Sequence, residues 1–204
     1  MVIIMKRIFC VLLCLVMAIC MISCSKQEEG SPDGMKKASA DNIGYSVYVP
    51  QDWVVKSSTE SLLVEARVSK EDSSNVTVMR YYNSTIEIDP NKENFVETAI
   101  RDYFADYRTQ LEKVFDLDSE GKTTFKLTDE DGYKCVLGSG WEDCGVTAIE
   151  YDYTATLGGV ELSYSQIIAF YDNYFYIVTF TTRPDLFDTH SEQVAQIVKY
   201  VKVR

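Results

Sequence analysis

The chain carries a single histidine, His190, so a Ser-His-Asp or Cys-His device would have to be built around it. His190 stands beside Asp188, Thr189 and Ser191, just ahead of an apolar-periodic segment, where polar residues ordinarily cap a helix. The spacing therefore predicts a surface capping position, and a replacement tolerated like any surface change. Gly138-Ser139-Gly140 lacks the Gly-x-Ser-x-Gly spacing of a nucleophile elbow, and no glycine-rich phosphate loop or paired-histidine motif is present. Carboxylates are plentiful: Asp116, Asp118 and Glu120 alternate in one segment, and Asp129, Glu130 and Asp131 are consecutive in another. Two such groups could exchange protons, and oxygen ligands in a row invite comparison with calcium sites. Asp129-x-Asp131-Gly132 matches a fragment of an EF-hand loop, but Leu127 and Gly138 stand where its ligands should begin and end. Solvated turns are the expectation, with no metal and no cofactor.

Cysteines and aromatics supply the remaining chemistry. Cys135 and Cys144 are close enough to close a small disulfide loop in an oxidising compartment; two separate buried thiols are the other reading. A metal site would need two more ligands, and no histidine is near. Fourteen tyrosines are many for a chain of 204 residues. Tyr and Trp suit binding faces, being large, rigid and polar at one tip, but Tyr also suits half-buried strands. Trp53 and Trp141 lie in loop-like segments near Pro or Gly and are the candidate binding aromatics.

These residues must be positioned by elements that the patterning predicts. Tyr45 to Val49 alternates as a strand stopped by Pro50; Leu62 to Val68 and Val76 to Tyr82 are two more. Asp89 is a natural N-cap with Pro90 at the first helical position, and Val96, Ile100, Tyr103, Tyr107, Leu111 and Val114 form the stripe of an amphipathic helix. Glu97 with Arg101 and Arg108 with Glu112 are four apart on its wet side. Thr123 to Thr128 and Tyr133 to Leu137 flank the hairpin dipeptide Asp131-Gly132. Val146 to Leu157 sets Ile149, Tyr151, Tyr153 and Ala155 on a dry face against Glu150, Asp152 and Thr154 on a wet one. Gly158-Gly159 turns it into Val160 to Phe170, and Asp172-Asn173 turns that into Tyr174 to Thr182, a meander. A short helix from about Pro184 to Tyr200 closes the chain, with Val194, Ile197, Val198 and Val201 as its apolar side. Strands segregated from helices in this order predict an α+β domain, an antiparallel sheet of about six to eight strands flanked by two helices.

The N-terminus carries an address. Lys6 and Arg7 precede an uncharged apolar run from Ile8 to Ile22, shorter than the roughly 20 residues a spanning helix needs. Met21-Ile22-Ser23-Cys24 resembles a lipobox, the motif of bacterial lipoprotein signals, with Met where Leu is commoner. The small Ser23 fits a signal peptidase, and the Cys24 thiol takes a diacylglyceryl group before cleavage. Residues 1–23 are then a signal peptide. Cys10, Cys14 and Cys20 are small apolar members of it. Residues 24–40, polar and without apolar periodicity, are expected to be a flexible tether, and residues 41–204 one domain that folds without it. The formal net charge of −11 deepens once Lys6 and Arg7 are removed, which argues against nucleic acid and against lying flat on an anionic bilayer.

From about Ile43 to Val203 the chain resembles the PsbP-like family. The resemblance rests on Tyr45-Ser46-Val47-Tyr48-Val49-Pro50-Gln51-Asp52-Trp53, on Asp131-Gly132 leading into Tyr133, on the meander ending Tyr174-Phe175-Tyr176-Ile177-Val178, and on the closing amphipathic helix. It implies an antiparallel sheet flanked by helices. Photosynthetic members of that family are accessory subunits of a membrane complex, and related nuclear members bind a small GTPase. Neither role carries over residue by residue, so the resemblance implies a non-catalytic scaffold for other macromolecules. The expectation is a lipoprotein on the extracytoplasmic face of the cell membrane, anchored by its lipid and serving a protein complex of the envelope. The rival is a small enzyme or a carbohydrate-binding lipoprotein with a tyrosine-lined groove. Replacing Cys24 by Ala should abolish metabolic lipid labelling and leave the precursor unprocessed; labelling that persists in this variant would contradict the anchor.

Overall fold

Paired positive φ angles show where the chain reverses. Gly158 and Gly159 have φ of 60° and 79°, Asp172 and Asn173 of 48° and 62°, the mirror-image turn that matches the twist of two paired strands. They join the three longest strands of the computed structural model, which describes residues 31–39, 44–58, 63–84, 86–137 and 146–203. In chain order the strands are β1 (Met35–Lys37), β2 (Tyr45–Ser46), β3 (Tyr48–Pro50), β4 (Val54–Ser58), β5 (Leu63–Arg67) and β6 (Asn75–Tyr82). Helix α1 (Phe95–Val114) follows, then β7 (Lys126–Leu127), β8 (Tyr133–Val136), β9 (Thr147–Leu157), β10 (Val160–Tyr171) and β11 (Tyr174–Thr182). A 3₁₀ turn (Pro184–Leu186), helix α2 (Phe187–Lys199) and β12 (Lys202–Val203) complete the chain. The main sheet has 8 strands in the order β4-β5-β6-β11-β10-β9-β7, with β8 also on β9; β1-β3 and β2-β12 are small separate pairs. Every pairing is antiparallel.

The centre of the sheet is covered on both faces. From Ser163 to Phe170 every residue of β10 is buried, as is Phe175 to Val178 of β11. One face packs Ile149, Tyr151, Tyr153, Tyr164, Ile168, Phe175 and Ile177 under Ala99, Ile100 and Phe104 of α1. Phe104 stacks on Tyr151 with ring centroids 3.6 Å apart. The stripe is rotated from the expected one: Phe104 belongs to it, and Val114 is exposed. The ion pairs Glu97–Arg101 and Arg108–Glu112 form at 2.9 Å, and both arginines reach on to Asp131 and Glu130. The other face packs Val76, Val78, Ala148, Ile167, Val178 and Phe180 against Val194 and Ile197 of α2 and against Tyr45, Val47, Val49 and Trp53.

Four expectations are corrected. The long helix starts at Phe95, with Asn94 at its N-cap. Asp89 instead closes a local turn, accepting the Asn91 N–H on Oδ1 at 3.0 Å and the Lys92 N–H on its carbonyl at 3.1 Å. Nothing from Asn91 to Asn94 is apolar, so helix propagation waits for Phe95 and Val96, whose burial stabilises it. Asp131-Gly132 does not join a hairpin, since β7 and β8 both pair with β9 along one edge. A Cβ on Gly132 would lie 2.7 Å from Ile149 and from Tyr151, and its φ is +65°, so glycine is required where β8 drops onto β9. The segment expected as tether contains β1; Met35 of this strand and Ala38 just after it are buried in the core, and the Lys36 ammonium donates to the Gln51 carbonyl at 2.8 Å. The folded unit thus begins ahead of Asp41. Three residues of strand are too short for periodicity to reveal, and long-range pairing with β3 stabilises them.

His190 is the fourth. It is buried, not a surface cap, and its Nε2 lies 2.8 Å from Asp72 Oδ2. Asp72 sits in the β5–β6 turn, where its Oδ1 accepts the Ser74 N–H at 2.9 Å. The pair pins α2 to that turn, because α2 begins at Phe187 and carries His190 inward in its first turn. Replacing His190 by Ala should cost about 1–3 kcal/mol, the usual range for orphaning a partly buried hydrogen-bond partner. Chemical denaturation would show this as a lower midpoint with an unchanged slope. A shift no larger than that of an ordinary surface substitution would contradict the pinning.

Candidate functional site

β9 and β10 place a polar patch under the last helix. Glu150 and Asp152 are two apart on β9 and share a sheet face; Ser165 is registered opposite Asp152 and Ile167 opposite Glu150. This is the face expected to be wet. α2 lies over it, and a cavity of about 370 Å³ remains between. Its floor is Glu150, Asp152, Ser165 and Ile167; β8 contributes Cys135 and Val136, β11 contributes Phe180, and α2 contributes Val194 and Val198. Ser191, Ala195 and Lys199 of α2 also line it and are exposed.

The electrostatics are unusual for a floor otherwise apolar. Ser165 has one hydroxyl proton, and it donates to Glu150 Oε1 at 2.6 Å. Its help to the neighbouring Asp152 is therefore shared. Asp152 Oδ1 is buried with no hydrogen-bond partner among the described residues. Burial first, and then the negative Glu150, raise its carboxyl above the usual aspartate range against the pull of the Ser165 hydroxyl. Burial together with Glu150 also pushes the Cys135 thiol up to about 11, which makes it a poor nucleophile at neutral pH. Cys135 carries a free thiol; Cys144, its expected partner, lies outside the described residues.

The other sequence candidates divide clearly. Trp53 does not line a binding face: its ring is 1% exposed and belongs to the core. The backbone N–H of Trp53 closes a turn onto the Pro50 carbonyl at 3.1 Å, so a loop-like segment holds a buried anchor. Cys24 and Trp141 lie outside the described residues. Acidic side chains serve turns. Asp118 Oδ1 accepts the N–H groups of Glu120 and Lys122 at 2.8 and 3.0 Å, Asp116 Oδ2 accepts that of Gly159 at 2.7 Å, and Asp129 Oδ1 accepts that of Asp131 at 2.9 Å. Among the described residues no three of His, Cys, Asp and Glu are grouped to hold a metal ion. Of the tyrosines, Tyr45, Tyr48, Tyr151, Tyr153, Tyr164 and Tyr176 are core, while Tyr81, Tyr82, Tyr133 and Tyr171 are exposed. A second, open depression on β4 and β5 contains the Glu65–Arg67 ion pair at 2.7 Å, which satisfies its own charges.

Sequence reasoning missed Glu150, Asp152 and Ser165 as a site. The available signal was β10, whose Ile167-Ile168-Ala169-Phe170 run does not alternate and so requires cover on both faces.

Eight antiparallel strands with a helix on each face define an α+β sandwich. Its particular form is the PsbP-like fold. The chain is similar to cyanobacterial PsbP (CyanoP) from Synechocystis sp. PCC 6803, with a TM-score of 0.54 and 13% identity over 86% of this chain and 95% of that one. It is also similar to LpqN of Mycobacterium tuberculosis, with a TM-score of 0.50 and 12% identity over 83% of this chain and 90% of that one. No protein-family model matches the chain, and no curated protein sequence matches it.

Asp152 has a direct consequence for stability. A carboxyl raised in the folded state binds its proton more tightly there than when unfolded. Its contribution is most favourable below the unfolded aspartate value and is lost as pH rises through the raised folded value. Replacing Asp152 by Asn removes that loss. The variant should match the native protein at the acid end of the carboxylate range and exceed it increasingly towards neutrality. Asp72 has the opposite sign: burial works against it, but the Ser74 hydroxyl and N–H and then His190 hold it below the usual range. Comparing the two proteins at each pH cancels Asp72, and a difference that shrinks as pH rises would contradict the assignment.

Proposed function

We propose that this chain is a lipid-anchored accessory module of the cell envelope, held on the extracytoplasmic face of the cell membrane through Cys24 and acting by binding, without catalysis of its own. The observation that carries this reading is the cavity under α2. A sheet face that apolar side chains could have sealed keeps two carboxylates and a hydroxyl towards an opening of about 370 Å³. Apolar walls with a few converging polar groups are what binding sites generally present. Catalytic machinery is a poorer fit. His190 is engaged by Asp72 and is not among the residues that line the cavity, and the Cys135 thiol is raised rather than activated. The anchor follows from the Lys6-Arg7, apolar-run and Ser23-Cys24 pattern. Similarity to LpqN, a protein involved in cell envelope biogenesis, and to CyanoP supports an accessory role by analogy of fold.

In-cell crosslinking tests the reading. A photoreactive residue at Ala195, on the cavity mouth, should trap a discrete envelope protein, and one at Asp102, exposed on α1, should not. The trapping should disappear when Cys24 is replaced by Ala. Equal trapping from both positions, or trapping that survives loss of Cys24, would overturn it.

A further inference from the structure

We propose that the cavity under α2 binds a small apolar compound carrying an ammonium group, which seats against Asp152 and Glu150 while its apolar body lies among Ile167, Phe180, Val194 and Val198. This inference rests on the reading of that cavity as the binding site and adds the class of its ligand. The geometry selects the class by elimination. Glu150 and Asp152 share one sheet face, so an anion reaching the floor would meet two carboxylates, with the Ser165 hydroxyl already donated to Glu150. A sugar needs polar walls on several sides, and here Ile167, Phe180, Val194 and Val198 make the walls apolar, with Ser191 and Lys199 at the exposed side of the roof. A divalent metal needs six or more oxygens, or four tight ligands, and no such group is assembled among the described residues. An ammonium donor fits this floor: the two carboxylates that line the space accept its hydrogen bonds, and its charge relieves the repulsion between them.

Size and surroundings agree. The volume is at the low end of the roughly 300–1,000 Å³ of small-molecule sites, so the occupant is a compact molecule. Among the described residues, the charged or titratable groups that line the space are Glu150, Asp152, Cys135 and Lys199. Lys199 is exposed, and its ammonium lies 5.4 Å from the Tyr200 ring centroid. Protonation of Asp152, whose carboxyl is raised, weakens the attraction, so affinity should fall as pH drops through that raised range.

Cys135 in the wall supplies the readout. The full chain in membranes is kept reduced, and the alkylation rate at Cys135 is followed by peptide mass spectrometry. Three probes with the same ring are compared: cyclohexylmethylammonium, cyclohexylmethanol and cyclohexanecarboxylate. The ammonium should slow alkylation saturably, at a concentration at least tenfold below that needed with the alcohol, and the carboxylate should not protect. Asp152→Asn should cost the ammonium at least tenfold and leave the alcohol unchanged; Glu150→Gln, which keeps the Asp152 charge, should cost less. Equal protection by alcohol and ammonium, or better protection by the carboxylate, would overturn the ligand class. So would protection by none of the three. In each of these cases crosslinking at Ala195 separates the two claims: trapping that persists leaves the binding module standing, and its loss removes that as well.

Discussion

Two strands that are buried on both faces dictate the rest of this molecule. β10 is buried without interruption from Ser163 to Phe170, and β11 from Phe175 to Val178. A sheet whose centre has no wet side cannot stop at a meander; it needs a cover above and another below. α1 supplies one in a single piece. The other is assembled from both ends of the chain, with α2, the β2–β12 pair and the β1–β3 pair lying side by side. Register carries this arrangement, because a slip of one residue would send every side chain to the opposite cover. The two buried clusters meet only through the strands themselves.

A cover assembled from pieces leaves a gap, and the gap falls over β9. At this edge the strand carries Glu150 and Asp152 where the centre of the sheet carries Ile167 and Val178. Burying a carboxylate with an unsatisfied oxygen is unfavourable, and a plain core would have no use for it. Unfavourable placements of this kind concentrate at functional sites. The same helix that roofs the cavity is pinned at its start by His190 and Asp72.

Much of the architecture was legible because local chemistry and tertiary demand agree. The glycine and Asp-Asn turns, the alternation of Val146 to Leu157 and the helix ion pairs all say locally what the fold requires globally. Where the two diverge, the reading failed for identifiable reasons. Trp53 and His190 stand in polar, turn-like surroundings, yet both side chains point into the core, and sequence reports the neighbours rather than the direction. Asp89-Pro90 satisfies its own turn before the helix can use it. β1 is stabilised by β3, a dozen residues away, with no period of its own. The site escaped because a wet face was inferred from alternation alone, and α2 had to land somewhere.

Asp152 is a partly buried carboxyl, short of a partner, in the floor of a cavity. Its ionisation in the unliganded protein tests this most directly, by following the side-chain carboxyl carbon by NMR as a function of pH. The expected result is a midpoint above the ordinary aspartate value of about 3.9. A midpoint at or below that value would show a solvated or already partnered carboxylate, and the cavity would have no unmet demand for a cation.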